Sequence, residues 1–322
     1  MVKVDLITGF LGTGKTTFIH RYIDYLSRKG QKVHVIENEF GSVSIDTLML
    51  KEDDCEISDL SGACMCCTGK RMFKNMLVQA AEDGCDRILV EPSGIYDVDE
   101  FFETMFSEPV SGCCEIGSIL TVVDARMDDL ISDEAKYLMF SQLLAAGTVI
   151  VSKTQMFSEQ TAGETVEKIN ALMEQMGSGR RFGEDVCRKK WDDFTDEDFE
   201  EFQRSGYQIL EHDRASMQHD LVFMAKEMAD YCENEQDLER RLRNLMENPV
   251  FGCILRVKGH IQDLDGNWYE INCSRDSFSV RPCRMKRGLF VIIGQKLDEA
   301  ALNHAFISRK QVKAGRKAAD FE

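Results

Sequence analysis

Proline is scarce, with 4 residues in 322, which excludes long Pro-rich linkers. Long apolar runs are also missing. No stretch nears the roughly 20 residues that a membrane helix needs, so no membrane association is expected. A charged n-region followed by an apolar signal segment is absent. The first residues lead straight into an apolar strand and a motif, so the expected location is the cytoplasm. Cationic surplus is lacking too: 39 Lys+Arg stand against 56 Asp+Glu, a net charge of −17. With no long Lys/Arg run, nucleic acid is not an expected partner. One phosphorylated ligand needs only a local anion site and stays compatible with an acidic chain.

Hydrophobic residues make up 43% and charged residues 30%, which suits a globular fold rather than disorder. The length suggests about two domains. Twelve cysteines in a reducing compartment point to metal or redox chemistry before disulfides.

Apolar runs at 2–8, 32–37, 86–91, 117–124 and 148–152 predict buried strands. Helical patterns at 16–29, 69–83, 134–146 and 159–176 alternate with them. Segment 38–68 is rich in turn residues and reads as mostly loop. The alternation predicts an α/β fold with a mostly parallel sheet flanked by helices. Residues 178–215 read as polar and irregular, and 217–246 as helical. Short strands follow at 251–258, 267–272, 277–281 and 288–294, with a hairpin turn at 263–267 and a helix at 297–306. The expected domains are 1–180, a polar and helical connector at 181–249, and a smaller α+β domain at 250–322.

Gly9-Phe10-Leu11-Gly12-Thr13-Gly14-Lys15-Thr16, followed by Thr17, fits G-x-x-x-x-G-K-[ST]. Such a match arises by chance in roughly one chain of this length in a hundred. Here it also follows a strand and opens a helix. The glycines let backbone N–H groups face phosphate oxygens, and the helix adds its positive end. Lys15 is a point charge for the β- and γ-phosphates, and the Thr16 hydroxyl suits Mg²⁺. Glu91, closing DRILVE before Pro92-Ser93-Gly94, is placed to hold a metal-bound water or orient the attacking one. Asp124, ending ILTVVD, is a second candidate on the Mg²⁺ side. Ser152-Lys153-Thr154-Gln155 follows the fifth strand. Guanine-reading P-loop proteins carry Asn-Lys-x-Asp there. Gln155 could accept from guanine more weakly than a carboxylate, and Lys153 can pack along the base. Guanine is preferred over adenine.

Cys64, Cys66 and Cys67 place three thiols within four residues. In extended chain Cys64 and Cys66 share a face and Cys67 does not, so a turn is needed to bring all three to one ion. Soft thiolates suit Zn²⁺, Cu(I) or Co²⁺. No second Cys or His pair stands at finger-like spacing, so the site has few protein ligands and exchanges its metal. Glu37, Glu39 and Cys55 are the candidate further ligands. Cys113-Cys114 has no acidic or His-rich surroundings and reads as structural.

These motifs resemble the CobW-like, metallochaperone-type P-loop GTPases. GFLGTGKTT (9–17), ENEFG (37–41), the C-x-C-C of Cys64, Cys66 and Cys67, EPSG (91–94), VVDA (122–125) and SKTQ (152–155) carry the likeness. CILRVKGHI (253–261) and GLFVIIGQKLDEAAL (288–302) are similar to the family's C-terminal domain. The resemblance implies a GTPase that carries Zn²⁺ or a related Co²⁺ or Ni²⁺ ion and delivers it to a client metalloprotein or a cobalamin-type pathway; slow intrinsic hydrolysis is expected because no arginine finger is evident in the sequence. Departures are Ser42 where many members have a carboxylate, Gln155 for the guanine-reading Asp, and no His-rich tract. A homodimer sharing metal between two Cys loops is compatible with this pattern. The competing reading is a small-molecule phosphotransferase with a structural zinc site.

Overall fold

The computed structural model describes residues 1–37, 55–59, 67–127, 132–209, 224–229, 231–233, 235–263, 265–274, 278–283 and 288–306. The chain divides into two units, Met1–Ser216 and Met217–Glu322, so the residues expected as a connector belong partly to each. Among the described residues no helix is long and apolar enough to cross a membrane.

Unit 1 is a seven-stranded sheet. Its strands are β1 (Val2–Thr8), β2 (Val33–Glu37), β3 (Cys55–Asp59), β4 (Arg87–Glu91), β5 (Cys114–Asp124), β6 (Thr148–Ser152) and β7 (Val186–Cys187). Their order is β3-β2-β4-β1-β5-β6-β7, and all pairings are parallel. Helices α1 (Lys15–Arg28), α2 (Cys67–Glu82), α3 (Val98–Met105), α4 (Asp133–Ala145), α5 (Glu159–Gln175) and α6 (Asp196–Arg204) connect and cover it.

The residue alternation of the strands sorts the helices. Val4 and Leu6 pack with Phe73 and Leu77 of α2 and with Val98 and Phe101 of α3. Ile7, on the opposite face, packs with Phe18 and Tyr22 of α1 and with Phe199 and Phe202 of α6. Helices α4 and α5 close a third cluster over Val149 and Val151. Because the strands are parallel, their carboxyl ends share one edge. The chain builds β2 to β4 on one side of β1 and β5 to β7 on the other. The turn after β1 therefore lies where the order reverses, the usual place for a ligand in an open α/β sheet.

Unit 2 is a five-stranded antiparallel sheet, β8 (Met224–Ala229), β9 (Cys253–Gln262), β10 (Trp268–Ser274), β11 (Phe278–Pro282) and β12 (Leu289–Gln295). Its order is β11-β10-β9-β12-β8. Helices α7 (Glu235–Glu247) and α8 (Glu299–Ala305) contribute Leu238, Leu242, Leu245 and Leu302 to a core with Val257, Phe290 and Ile292. In the hairpin at 263–267, Asp263 N donates to Asn267 O at 2.8 Å.

Four expectations change. β3 lies inside the segment read as loop; it is an edge strand, CEISD, whose polar content hides it from hydrophobic pattern. β5 starts at Cys114 and runs through Gly117, which marks no strand end, because the pairing with β1 shifts register between Val4 and Leu6. The polar stretch 178–215 holds β7 and α6, and buries Trp191, Phe199 and Phe202. Part of the segment read as helical, Met224–Ala229, is a strand paired to β12. MAKEMA favours a helix locally, and the open edge of β12 overrides that preference.

Candidate nucleotide and metal site

The glycine turn after β1 is the expected phosphate cradle, and its backbone is shaped by glycine. Gly9 has φ 142°, and a Cβ there would stand 2.2 Å from the Val122 carbonyl oxygen, so only glycine lets the loop pass β5. The Thr13 hydroxyl donates to Phe10 O at 2.9 Å and braces the turn. Gly14, with Gly12 also at positive φ, leads into α1 without a side-chain cap. The first N–H groups of α1 are thus not taken by a capping side chain. Lys15 is buried and donates to the carbonyls of Gly9 at 2.9 Å and Phe10 at 3.2 Å. Thr17 is on the exposed side of the first turn.

Thr16 and Glu91, 75 residues apart in sequence, meet: the Thr16 hydroxyl donates to Glu91 Oε1 at 2.9 Å and Oε2 at 3.2 Å. A hydroxyl and a carboxylate at the end of a phosphate loop form an oxygen donor set that suits Mg²⁺. Glu37 is the register partner of Glu91 on the neighbouring strand and is buried, 2% exposed. Asp59 is in turn the register partner of Glu37. Three acidic positions therefore stand abreast at the carboxyl ends of β4, β2 and β3. Asp59 had no motif to mark it, since its strand was unread.

Cys64, Cys66 and Glu39 lie outside the described residues. Cys67 opens α2. Cys64 and Cys66 fall between Asp59 and Cys67 in the sequence, and Asp59 is the register partner of Glu37. Cys55 opens β3 at the opposite end from Asp59. Burial, aided by Glu37 and Glu56, pushes its thiol up to about 11, which disfavours the thiolate a metal needs. Among the described residues no group of three or more His, Cys, Asp or Glu side chains gathers as if to hold a metal.

On the other side of β1, Asp124 and Ser152 end β5 and β6 as register partners. Asp124 is ion-paired with the Lys153 ammonium, and Lys153 adopts φ 57°. The Ser152 hydroxyl is buried with no hydrogen-bond partner among the described residues. Gln155 is exposed at the turn. Residues that the sequence reading passed over also arrive here. Thr154 donates to Lys189 O at 3.4 Å, and the Trp191 indole N–H donates to Val151 O at 3.1 Å. The Trp191 ring lies 3.4 Å from where a Gly14 Cβ would sit. A buried Trp in a polar stretch was the only available signal.

Residues 3–182 match the nucleotide-binding domain of the CobW/HypB/UreG family. That is more than half of the chain. The chain belongs to the CobW/HypB/UreG family. Two curated relatives of this CobW/HypB/UreG member indicate the company it keeps. Zinc chaperone YjiA of Escherichia coli is 29% identical over 180 residues, 53% of this chain and 55% of the relative. Zinc-regulated GTPase metalloprotein activator 1 of Schizosaccharomyces pombe is 30% identical over 186 residues, 53% of this chain and 44% of the relative. The chain thus spans about half the length of the curated relatives it matches. The crystal structure of Zn(II)-bound YjiA GTPase from E. coli aligns at 21% identity over 94% of this chain and 97% of that one, with a TM-score of 0.42. The family match stops short of β7, Trp191 and α6, although these complete unit 1.

Proposed function

We propose that the protein is a GTP-hydrolysing metallochaperone. It takes Zn²⁺, or a related Co²⁺ or Ni²⁺ ion, as cargo at Cys64, Cys66, Cys67 and Glu37, and passes it to a client metalloprotein under nucleotide control. The observation that carries this reading is the register of Glu91 and Glu37: a residue bonded to the phosphate-loop threonine and a candidate cargo ligand are neighbours in one sheet. The relatives' names, zinc chaperone and zinc-regulated GTPase activator, support the same class.

The phosphate loop binds the nucleotide through its N–H groups and the start of α1. Lys15 exchanges its Gly9 and Phe10 carbonyls for phosphate oxygens. Thr16 and Glu91 would hold Mg²⁺, directly or through water, which when bound neutralises charge on the β- and γ-phosphates. Glu91 orients the attacking water. Lys153 packs along the base, and Ser152 and Gln155 contact it, with guanine favoured. Asp124 holds Lys153 in place. Hydrolysis removes the contacts to the γ-phosphate, and the segment between β3 and α2 relaxes its hold on the cargo.

The test is Zn²⁺ competition against a chromophoric chelator, with the protein loaded with Mg²⁺ and either a non-hydrolysable GTP analogue or GDP. We expect affinities to differ tenfold or more, which is about 1.4 kcal/mol of coupling, and the difference to vanish when Cys66 and Cys67 become Ala. Equal affinity in both nucleotide states would rule out the switch and leave a structural zinc. GTP hydrolysis by a Lys15→Ala variant at the wild-type rate would rule out the phosphate-loop assignment.

A further inference from the structure

Gln142 is a polar side chain in an apolar place. It lies on α4 and is 0% exposed, among Leu138, Leu143 and Leu144. Helices rarely bury a glutamine completely unless its amide is used. Here both amide hydrogens are used on one short segment. Gln142 Nε2 donates to Gly94 O at 3.3 Å and to Tyr96 O at 3.2 Å. Those carbonyls belong to the turn that follows Glu91. Gln142 Oε1 has no hydrogen-bond partner among the described residues, so the side chain's visible bonding is directed wholly at that turn.

The turn is itself pressed against the phosphate loop. A Cβ on Gly94 would stand 2.6 Å from Leu11 N and 2.8 Å from the Phe10 carbonyl carbon. The segment is also held by its own bonds and by burial: Tyr96 N donates to Ser93 O at 3.0 Å, Asp97 caps α3 by accepting from Asp99 N at 3.1 Å, and the Tyr96 ring is buried in the core beside Val98 and Phe101. The Gln142 end is fixed as well. Its own carbonyl accepts from the buried Thr121 hydroxyl at 2.8 Å, which ties this turn of α4 to β5. A side chain anchored on α4 and β5 therefore reaches across to the segment that follows Glu91, and Glu91 meets Thr16.

We propose that Gln142 is a positioning residue for hydrolysis: it keeps the Glu91–Gly94 turn seated on the phosphate loop. This rests on the hydrolytic reading above and adds the residue that holds its geometry. Nucleotide binding itself relies on the phosphate loop, α1 and the residues after β6, and none of the hydrogen bonds that Gln142 makes among the described residues goes to them. Removing the amide frees the turn, loosens Glu91 on Thr16 and slows turnover, while the diphosphate still binds.

The experiment compares wild type, Lys15→Ala, Gln142→Met and Gln142→Glu. Methionine keeps the volume without donors, and glutamate keeps the shape but turns an acceptor toward two carbonyls. Folding is checked by thermal melting. We expect kcat for GTP to fall tenfold or more in both Gln142 variants, with the Kd for GDP within threefold of wild type. Amide hydrogen exchange should speed up in residues 93–97 and stay unchanged in α5. Unchanged kcat, or kcat and GDP affinity lost together, overturns the proposal. So does unchanged exchange at 93–97 in a folded variant. If wild type hydrolyses no GTP, the hydrolytic reading falls and this role with it. Hydrolysis that Lys15→Ala abolishes but Gln142→Met leaves intact removes the Gln142 role alone.

Discussion

At residue scale, the centre of unit 1 depends on one fully buried carboxylate. Asp5 accepts from Arg87 Nη1 at 2.7 and 2.6 Å, from the Tyr22 hydroxyl at 2.9 Å and from Ser118 N at 2.9 Å. The Ser118 bond sits at the register shift of β5 against β1, so Asp5 satisfies a backbone donor that the ladder leaves over. Burial pushes the Asp5 carboxyl above its usual 3.8, against the pull of Arg87 and the other donors. Arg87→Ala should cost about 3–5 kcal/mol, because it strands a charge in the core. With Arg87 gone the carboxyl rises further. The folded state then binds a proton that the unfolded chain releases, so stability falls as pH climbs above 3.8. Urea unfolding should therefore show a larger penalty at pH 8 than at pH 5; a small, pH-independent cost would contradict this. The Gly-Lys-Thr turn was legible because its residue types are set by the local backbone conformation, positive φ at Gly9, Gly12 and Gly14. Asp5, Gln142 and Asp59 were not, since nothing nearby in sequence marks their partners.

At element scale, α6 and the Trp191 turn join the phosphate loop to the end of β6. The ion pairs from Arg28 and Lys29 to Asp196 are exposed, so water and salt screen them and they hold little. The attachment comes instead from rings: Phe199 lies 5.1 Å from Tyr25 and 6.0 Å from Tyr22, and Phe18 lies 5.9 Å from Trp191. Phe199 and Phe202 are three apart, a helical spacing that seven acidic side chains nearby obscured. Because the Trp191 ring borders Gly14, filling the cradle with GDP should change its fluorescence. The change should persist in Trp268→Phe and disappear in Trp191→Phe. A signal that survives loss of Trp191 would show that the indole does not sense the loop. Edge elements were the hardest to read: β3, β7 and β8 are short or polar, and their strand state comes from a neighbour's unpaired backbone groups.

At the scale of the whole molecule, unit 1 closes its own core. Among the described residues its three apolar clusters draw only on positions before 208. A fragment of residues 1–216 should therefore fold cooperatively and bind GDP as the full chain does, measured by melting and by the Trp191 signal. A fragment ending at 182, where the family match ends, should lose stability because it lacks Trp191, Phe199 and Phe202. A stable 1–182 fragment would contradict the packing described for α6. The amino-acid sequence by itself determined the parallel α/β class, the phosphate loop, Glu91 and the cysteine motif. Those features depend on runs of neighbouring residues, on periodicity or on local conformations that only certain side chains permit. Only the tertiary structure decided that Thr16 meets Glu91, that Glu37 stands beside it, that Gln142 holds the turn and that a polar stretch supplies Trp191. Such pairings join residues tens of positions apart, and they exist only once the sheet order brings separate strands side by side.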